Sequence, residues 1–188
     1  MLNLRKELNL KFQLSQELIY SFSPYFYRRY FMHCKNIPAN ELKYLQEQFD
    51  LNTIEKIVLT GGGAVPYTAI LLNKIINPKV FVIIEKNKLA SLAASRLLNK
   101  LNLKNFKVVN MQGEDYPEYD NSLVIVALQV TEKQRIIDKV LNESCNNILV
   151  IRQPLRKNIH VFESVSLNGL QYVAIKQEPD FESIVLIK

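Results

Sequence analysis

The residues with the most chemical content lie between 57 and 68, where Ile57-Val58-Leu59-Thr60 runs into Gly61-Gly62-Gly63 and on through Ala64-Val65-Pro66-Tyr67-Thr68. Consecutive glycines let the main chain turn sharply and leave no side chain between backbone and ligand, while Pro66 suits a first helical turn, where no amide donor is needed. These are three of only five glycines in the chain, so their concentration marks a strand, a bare turn and a helix start that can lay a nucleoside against the backbone. An acid about 20 positions further on, at the end of the next strand, accepts the two hydroxyls of a ribose. Glu85, after Val82-Ile83-Ile84, occupies that place. After the third apolar run comes Met111-Gln112-Gly113-Glu114-Asp115, a loop whose carboxylate suits an adenine amino group; the spacing does not choose between Glu114 and Asp115. Ala127-Leu128 after the fourth run borders the same place, and small Ala127 leaves room there. The expected ligand-binding set is therefore Thr60, Gly61, Gly62, Gly63, Glu85, Gly113, Glu114, Ala127 and Leu128.

What is missing narrows the chemistry. A dinucleotide fingerprint wants a third glycine where Pro66 stands, so that helix and strand pack closely beside a pyrophosphate. Neither an Asn-Pro-Pro-Tyr nor an Asp-Pro-Pro-Tyr sequence follows the fourth strand, and no Pro-Cys nucleophile occurs, which removes the residues commonly used to methylate nucleic-acid bases. The two cysteines, Cys34 and Cys145, are far apart and lack a second Cys or a His at ligand spacing, so neither a disulfide nor a metal site is expected. His33 and Cys34 are adjacent, and adjacent side chains on a helix diverge by about 100°.

The elements that position these residues alternate. Strands are expected at 56–60, 80–85, 106–110, 123–127, 147–152, 171–175 and 183–188, with helices at 66–76, 88–101 and 131–143. Several strands are apolar on both faces, as buried parallel strands are, and the alternation is that of βαβ units. Arg152, ending the fifth strand, suits a surface ion pair as well as a contact with substrate. Leu89, Leu92, Ala93, Leu97 and Leu101 recur at helical steps and give the middle helix one apolar stripe. About seven residues separate the last two strands, too few for a parallel crossover, so they form an antiparallel hairpin. The expected fold is α/β: a Rossmann-like, seven-stranded, mostly parallel sheet with a C-terminal antiparallel hairpin, preceded by a short helical N-terminal segment. The hairpin is similar to the ending of the class I S-adenosylmethionine-dependent methyltransferase fold. Residues 1–50, with helical spacing at 4–19 and 39–49 broken by Ser23-Pro24 and Ile37-Pro38, read as a cap of two or three helices over a cofactor-binding domain at 51–188.

With 188 residues and 48% apolar composition the chain can fill one core. No apolar run approaches the roughly 20 residues of a membrane span and no basic-then-apolar leader opens the chain, so a cytoplasmic protein with no membrane partner is expected. The net charge of +6 is dispersed, which disfavours a nucleic-acid face; the cluster Tyr25, Tyr27, Arg28, Arg29, Tyr30 comes nearest to one. The same aromatic spacing suits the apolar underside of a cap.

The stretch 59–68 has Leu59 where the usual methyltransferase motif carries an acid, and its glycine, small residue, glycine, two residues, proline, hydrophobic, threonine pattern resembles the nicotianamine synthase family. Further similarities are Leu89-Ala90, Ala94-Ser95-Arg96-Leu97, Tyr119-Asp120, Leu149-Val150-Ile151-Arg152, and upstream Pro24-Tyr25-Phe26-Tyr27-Arg28-Arg29-Tyr30, so the likeness covers about 24–188. The resemblance implies S-adenosylmethionine as cofactor and attack on its aminocarboxypropyl chain, with release of methylthioadenosine. It implies Tyr30 or Tyr25 as the residue that orients or deprotonates the attacking amine. It also implies an acid from the N-terminal helices, where this chain, shorter than the family there, offers Glu7 and Glu17. The expected function is an S-adenosylmethionine-dependent transferase acting on a small-molecule acceptor, by methyl or aminocarboxypropyl transfer. The alternatives are a non-catalytic or RNA- or protein-binding module on this fold and, third, an NAD-dependent oxidoreductase.

Overall fold

The computed structural model describes residues 2–34, 38–143, 145–155, 162–177 and 181–187, with the side chains at 2–10, 13, 24, 30 and 33 outside that description. Five parallel strands form first: β1 (Lys56–Thr60), β2 (Val80–Ile84), β3 (Phe106–Val109), β4 (Leu123–Val126) and β5 (Ile148–Pro154). Two antiparallel strands, β6 (Val173–Gln177) and β7 (Phe181–Ile187), complete a seven-stranded sheet in the order β3-β2-β1-β4-β5-β7-β6. The hairpin expected from the short connection is present, and β7 lies inside it, between β5 and β6. Pairing with β7 also explains two shifts from the expected boundaries. β5 continues to Pro154 because Pro154 pairs with Phe181, and β6 starts at Val173 because its register is fixed by Gln177 opposite Phe181.

Apolar residues alternate between two cores because side chains along a strand alternate faces. Ile57 and Leu59 join Leu45, Ala69, Ile70, Leu72 and Leu97 on one face. Val58, Val82, Ile84, Val124 and Val126 join Ile136, Ile137 and Val140 on the other. Thus α4 (Tyr67–Ile76) and α5 (Lys88–Lys100) cover one side and α6 (Lys133–Glu143) the other. The helix starts of α5 and α6 are capped by side chains. Asn87 accepts from the Leu89 and Ala90 amides at 3.0 and 3.1 Å, and Glu163 accepts from the Glu132 and Lys133 amides at 2.9 and 3.0 Å.

The N-terminal segment forms α1 (Leu2–Ser21), α2 (Pro24–Cys34) and α3 (Ala39–Gln48). α1 packs on α2 and α5, and α3 packs on β6. Leu42 and Leu45 of α3 and Tyr27 of α2 enter the same core as β1, so these helices share their burial with the sheet.

Candidate functional site

Thr60 of β1 lies opposite Ile84 of β2 and Val126 of β4, so these three strands end level. The chain leaves β1 for β2 on one side and returns to β4 on the other, which opens the crevice where ligands of open α/β sheets bind. A cavity of about 630 Å³ occupies it, within the range of roughly 300–1,000 Å³ usual for small-molecule sites. Thr60, Gly61, Gly62, Gly63, Glu85, Gly113, Glu114, Ala127 and Leu128 all line this one cavity; Asp115 does not appear in its wall.

The glycines have reasons that differ from simple access for a ligand. Gly61 and Gly63 have φ of 81° and 66°, a region that penalises any Cβ. A Cβ on Gly61 would collide with Val130, one on Gly62 with Ile83, and one on Gly63 with the carboxylate of Glu17. The amides are also engaged. Gly61 N donates to the Ile84 carbonyl at 2.8 Å, Gly63 N to Glu85 Oε2 at 2.9 Å, and Ala64 N to Glu17 Oε2 at 2.8 Å. The other Glu85 oxygen accepts from Asn87 N at 2.8 Å. Glu85 therefore ties the glycine turn to the start of α5, and each of its oxygens keeps a lone pair for a further donor.

Glu17 is the residue that strand and glycine patterns do not point to. It comes from α1, enters the cavity with Leu14, and faces the glycine turn from the cap side. Burial, offset by the bonds from Ala64 and Val65 and reinforced by the neighbouring charge of Glu85, raises its pKa from 4.5 to about 7. The sequence signal is an acid between Leu14 and Leu18 on one helical turn, an ionisable group on an apolar stripe. Of the two acids considered at the N-terminus, Glu7 has its side chain outside the described residues.

Three buried polar groups hold the walls. Arg152, near the end of β5, makes a bidentate pair with Glu41 of α3 at 2.9 and 2.8 Å and donates to Thr68 Oγ1 at 2.9 Å. Its position at a strand end is compatible with either surface or substrate; in the fold it is 3% exposed and bolts the cap helix to the sheet while its edge lines the cavity. Burial works against its charge, and Glu41 more than offsets this, holding it fully protonated. Lys133 is wholly buried and its ammonium donates to the carbonyls of Leu128, Arg152 and Glu163 at 2.8, 2.9 and 3.0 Å. It joins the turn after β4, the end of β5 and the segment beside Phe162, all of which border the cavity. Tyr119 donates to the Gly113 carbonyl at 2.8 Å beneath Thr60, and burial pushes its phenol up to about 12.

Both tyrosines expected to act on the acceptor lie on α2. Tyr25 on α2 is 70% exposed, its ring packs edge-on against Phe26, and it is not among the residues lining the cavity. Tyr30 lies on the same helix with its side chain outside the described residues. Among the described residues, the cap contributes Leu14, Glu17 and Cys34 to the cavity.

A seven-stranded sheet in this order, with the crevice over β1, β2 and β4, defines the fold of class I S-adenosylmethionine-dependent methyltransferases. Among solved structures the chain is similar to MtNAS, a nicotianamine synthase. A point mutant of MtNAS superposes with a TM-score of 0.74 at 15% identity, covering 100% of this chain and 75% of that one. MtNAS in complex with MTA and tNA gives 0.73 at 17% identity over the same shares. A SAM-dependent methyltransferase from Aquifex aeolicus gives 0.62 at 15% identity, covering 88% of this chain and 98% of that one. No protein-family model matches the sequence, and no curated protein sequence matches it either.

Proposed function

We propose that the chain binds S-adenosylmethionine in this crevice and transfers the aminocarboxypropyl group to an amine of a small-molecule acceptor, with Glu17 as general base. The observation that carries the reading is the position of Glu17: an acid from the cap, in the wall of the cavity, opposite the glycine turn and with a pKa near neutrality. Both sides of a transfer site are thus supplied by separate parts of the chain.

The residues present fit the cofactor. Glu85 at the end of β2 keeps acceptor capacity for ribose hydroxyls, Glu114 for an adenine amino group, and the turns at Gly61–63 and Gly113 keep the walls free of bulk. When bound, S-adenosylmethionine supplies an electrophilic carbon next to a sulfonium. The chain's own part is to orient an acceptor against that carbon and to take its proton, and orientation accounts for much of such catalysis. Glu17 accepts the proton at a carboxylate oxygen; a base with pKa near the working pH is the most effective kind. The walls set by Lys133 and by the Arg152–Glu41 pair keep the cavity's shape while the acceptor is held.

Similarity to MtNAS, solved with MTA and tNA, supports aminocarboxypropyl rather than methyl transfer. Incubation with S-adenosylmethionine and a metabolite extract tests the choice. Accumulation of methylthioadenosine is expected; S-adenosylhomocysteine in its place would assign methyl transfer.

A further inference from the structure

The glycine turn offers amides to a ligand, yet those amides already have partners. Ala64 N donates to Glu17 Oε2 at 2.8 Å, Val65 also bonds this carboxylate, and Gly63 N donates to Glu85. Two carboxylates from different parts of the chain therefore sit on neighbouring amides, close enough to repel one another. The bare Cα of Gly63 makes the close approach of Glu17 possible, because a Cβ would stand in the carboxylate's place. A side chain that bonds an amide run through a carboxylate, inside the cavity and on a separate helix, has the chemistry of the α-carboxylate of an amino acid.

We infer that Glu17 stands in for the carboxylate of an amino-acid-bearing nucleoside, and that arrival of such a ligand displaces it from the Ala64 amide and releases it toward the acceptor. The inference rests on the proposed cofactor and adds to it an order of events. While Glu17 is bonded to the turn, the amides of Ala64 and Val65 stabilise its charged form and weaken it as a base; once displaced, it loses that stabilisation and takes a proton more readily. Cofactor first and acceptor second is then the productive sequence, and the base is withheld until there is a group to transfer. Lys86 lies in the same wall but bonds Thr131 Oγ1, so it does not neutralise the Glu17–Glu85 pair in this arrangement.

The matched ligands are S-adenosylhomocysteine, which carries the amino-acid carboxylate, and methylthioadenosine, which lacks it. Titration calorimetry on the full chain and on Glu17→Ala compares them. Removing the competitor is expected to tighten S-adenosylhomocysteine about tenfold, the worth of one charge-assisted bond, and to leave methylthioadenosine within about twofold. In the unaltered chain the preference for S-adenosylhomocysteine over methylthioadenosine is expected to grow as pH falls below about 7, because protonated Glu17 competes poorly, and the variant is expected to lack this dependence. An unchanged ratio between the two nucleosides, or a loss of S-adenosylhomocysteine affinity in Glu17→Ala, would overturn the displacement while leaving the cofactor reading intact. Failure of both nucleosides to bind either protein would overturn the cofactor reading and the displacement together.

Discussion

Glu17 carries a pKa of about 7 where an exposed glutamate has 4.5, and its environment explains the difference: burial removes water and Glu85 adds like charge, while two amides only partly offset them. Two outcomes follow for this single residue. kcat/KM should rise as pH passes through about 7, where Glu17 of the unliganded chain loses its proton, and Glu17→Gln should lower it by roughly 10²–10⁴-fold and flatten that limb, as a pH–rate profile for methylthioadenosine formation would show. Stability runs the other way. A carboxyl whose folded pKa is raised favours the fold most below about 4.5 and loses that contribution as pH rises towards 7. Between these values the unaltered chain should lose stability with rising pH and Glu17→Gln should not, as denaturant titrations at about pH 4.5 and about pH 7.5 would reveal. Gly63→Val tests the turn: at φ 66° a branched side chain is strained and would strike Glu17, so nucleoside binding should be lost while far-ultraviolet circular dichroism stays near that of the unaltered chain.

Between elements, the buried pair of Arg152 on β5 and Glu41 on α3 is the firmest link of cap to sheet among the described residues. Arg152→Met leaves Glu41 buried without its cation and should cost about 3–5 kcal/mol, whereas Arg152→Met combined with Glu41→Leu should recover most of it, as melting temperatures of the three proteins would show. This link could not be read from the sequence, because it joins positions 41 and 152 and no pattern of nearest neighbours reports a contact over that span. Strands of the sheet were legible because their apolar runs are local and strong, and β1 has the boundaries that the run Lys56–Thr60 implies; α5 was legible in place but not in face, since Leu89 and Leu92 of the expected stripe are exposed while Ala90, Ala94, Leu97 and Leu98 are buried. β6 starts two residues later than its own residues suggest, at Val173 rather than 171, since its register is set by β7 and not by its composition. The crevice lining was legible for a related reason: glycines and acids at strand ends fall in one place once the strands are parallel. Lys133 shows the opposite case, a lysine that reads as solvated surface in an amphipathic helix and is instead saturated by three carbonyls behind the cavity wall.

At the scale of the whole molecule, the strand ends and their loops supply most of the cavity wall and the helical cap closes it with Leu14, Glu17 and Cys34, so ligand binding and cap docking share one site. A cofactor present at about 100 times its dissociation constant should stabilise the fold by about 2.7 kcal/mol, and for a chain of this size each kcal/mol raises the melting temperature by roughly 2–4 °C. Thermal melts with and without S-adenosylmethionine would show that shift. The most direct measurement is a calorimetric titration of the full chain with S-adenosylmethionine, alongside NAD as the competing cofactor. Saturable one-to-one binding of S-adenosylmethionine, abolished by Gly63→Val, is the predicted result; tight binding of NAD with no heat from S-adenosylmethionine would contradict it.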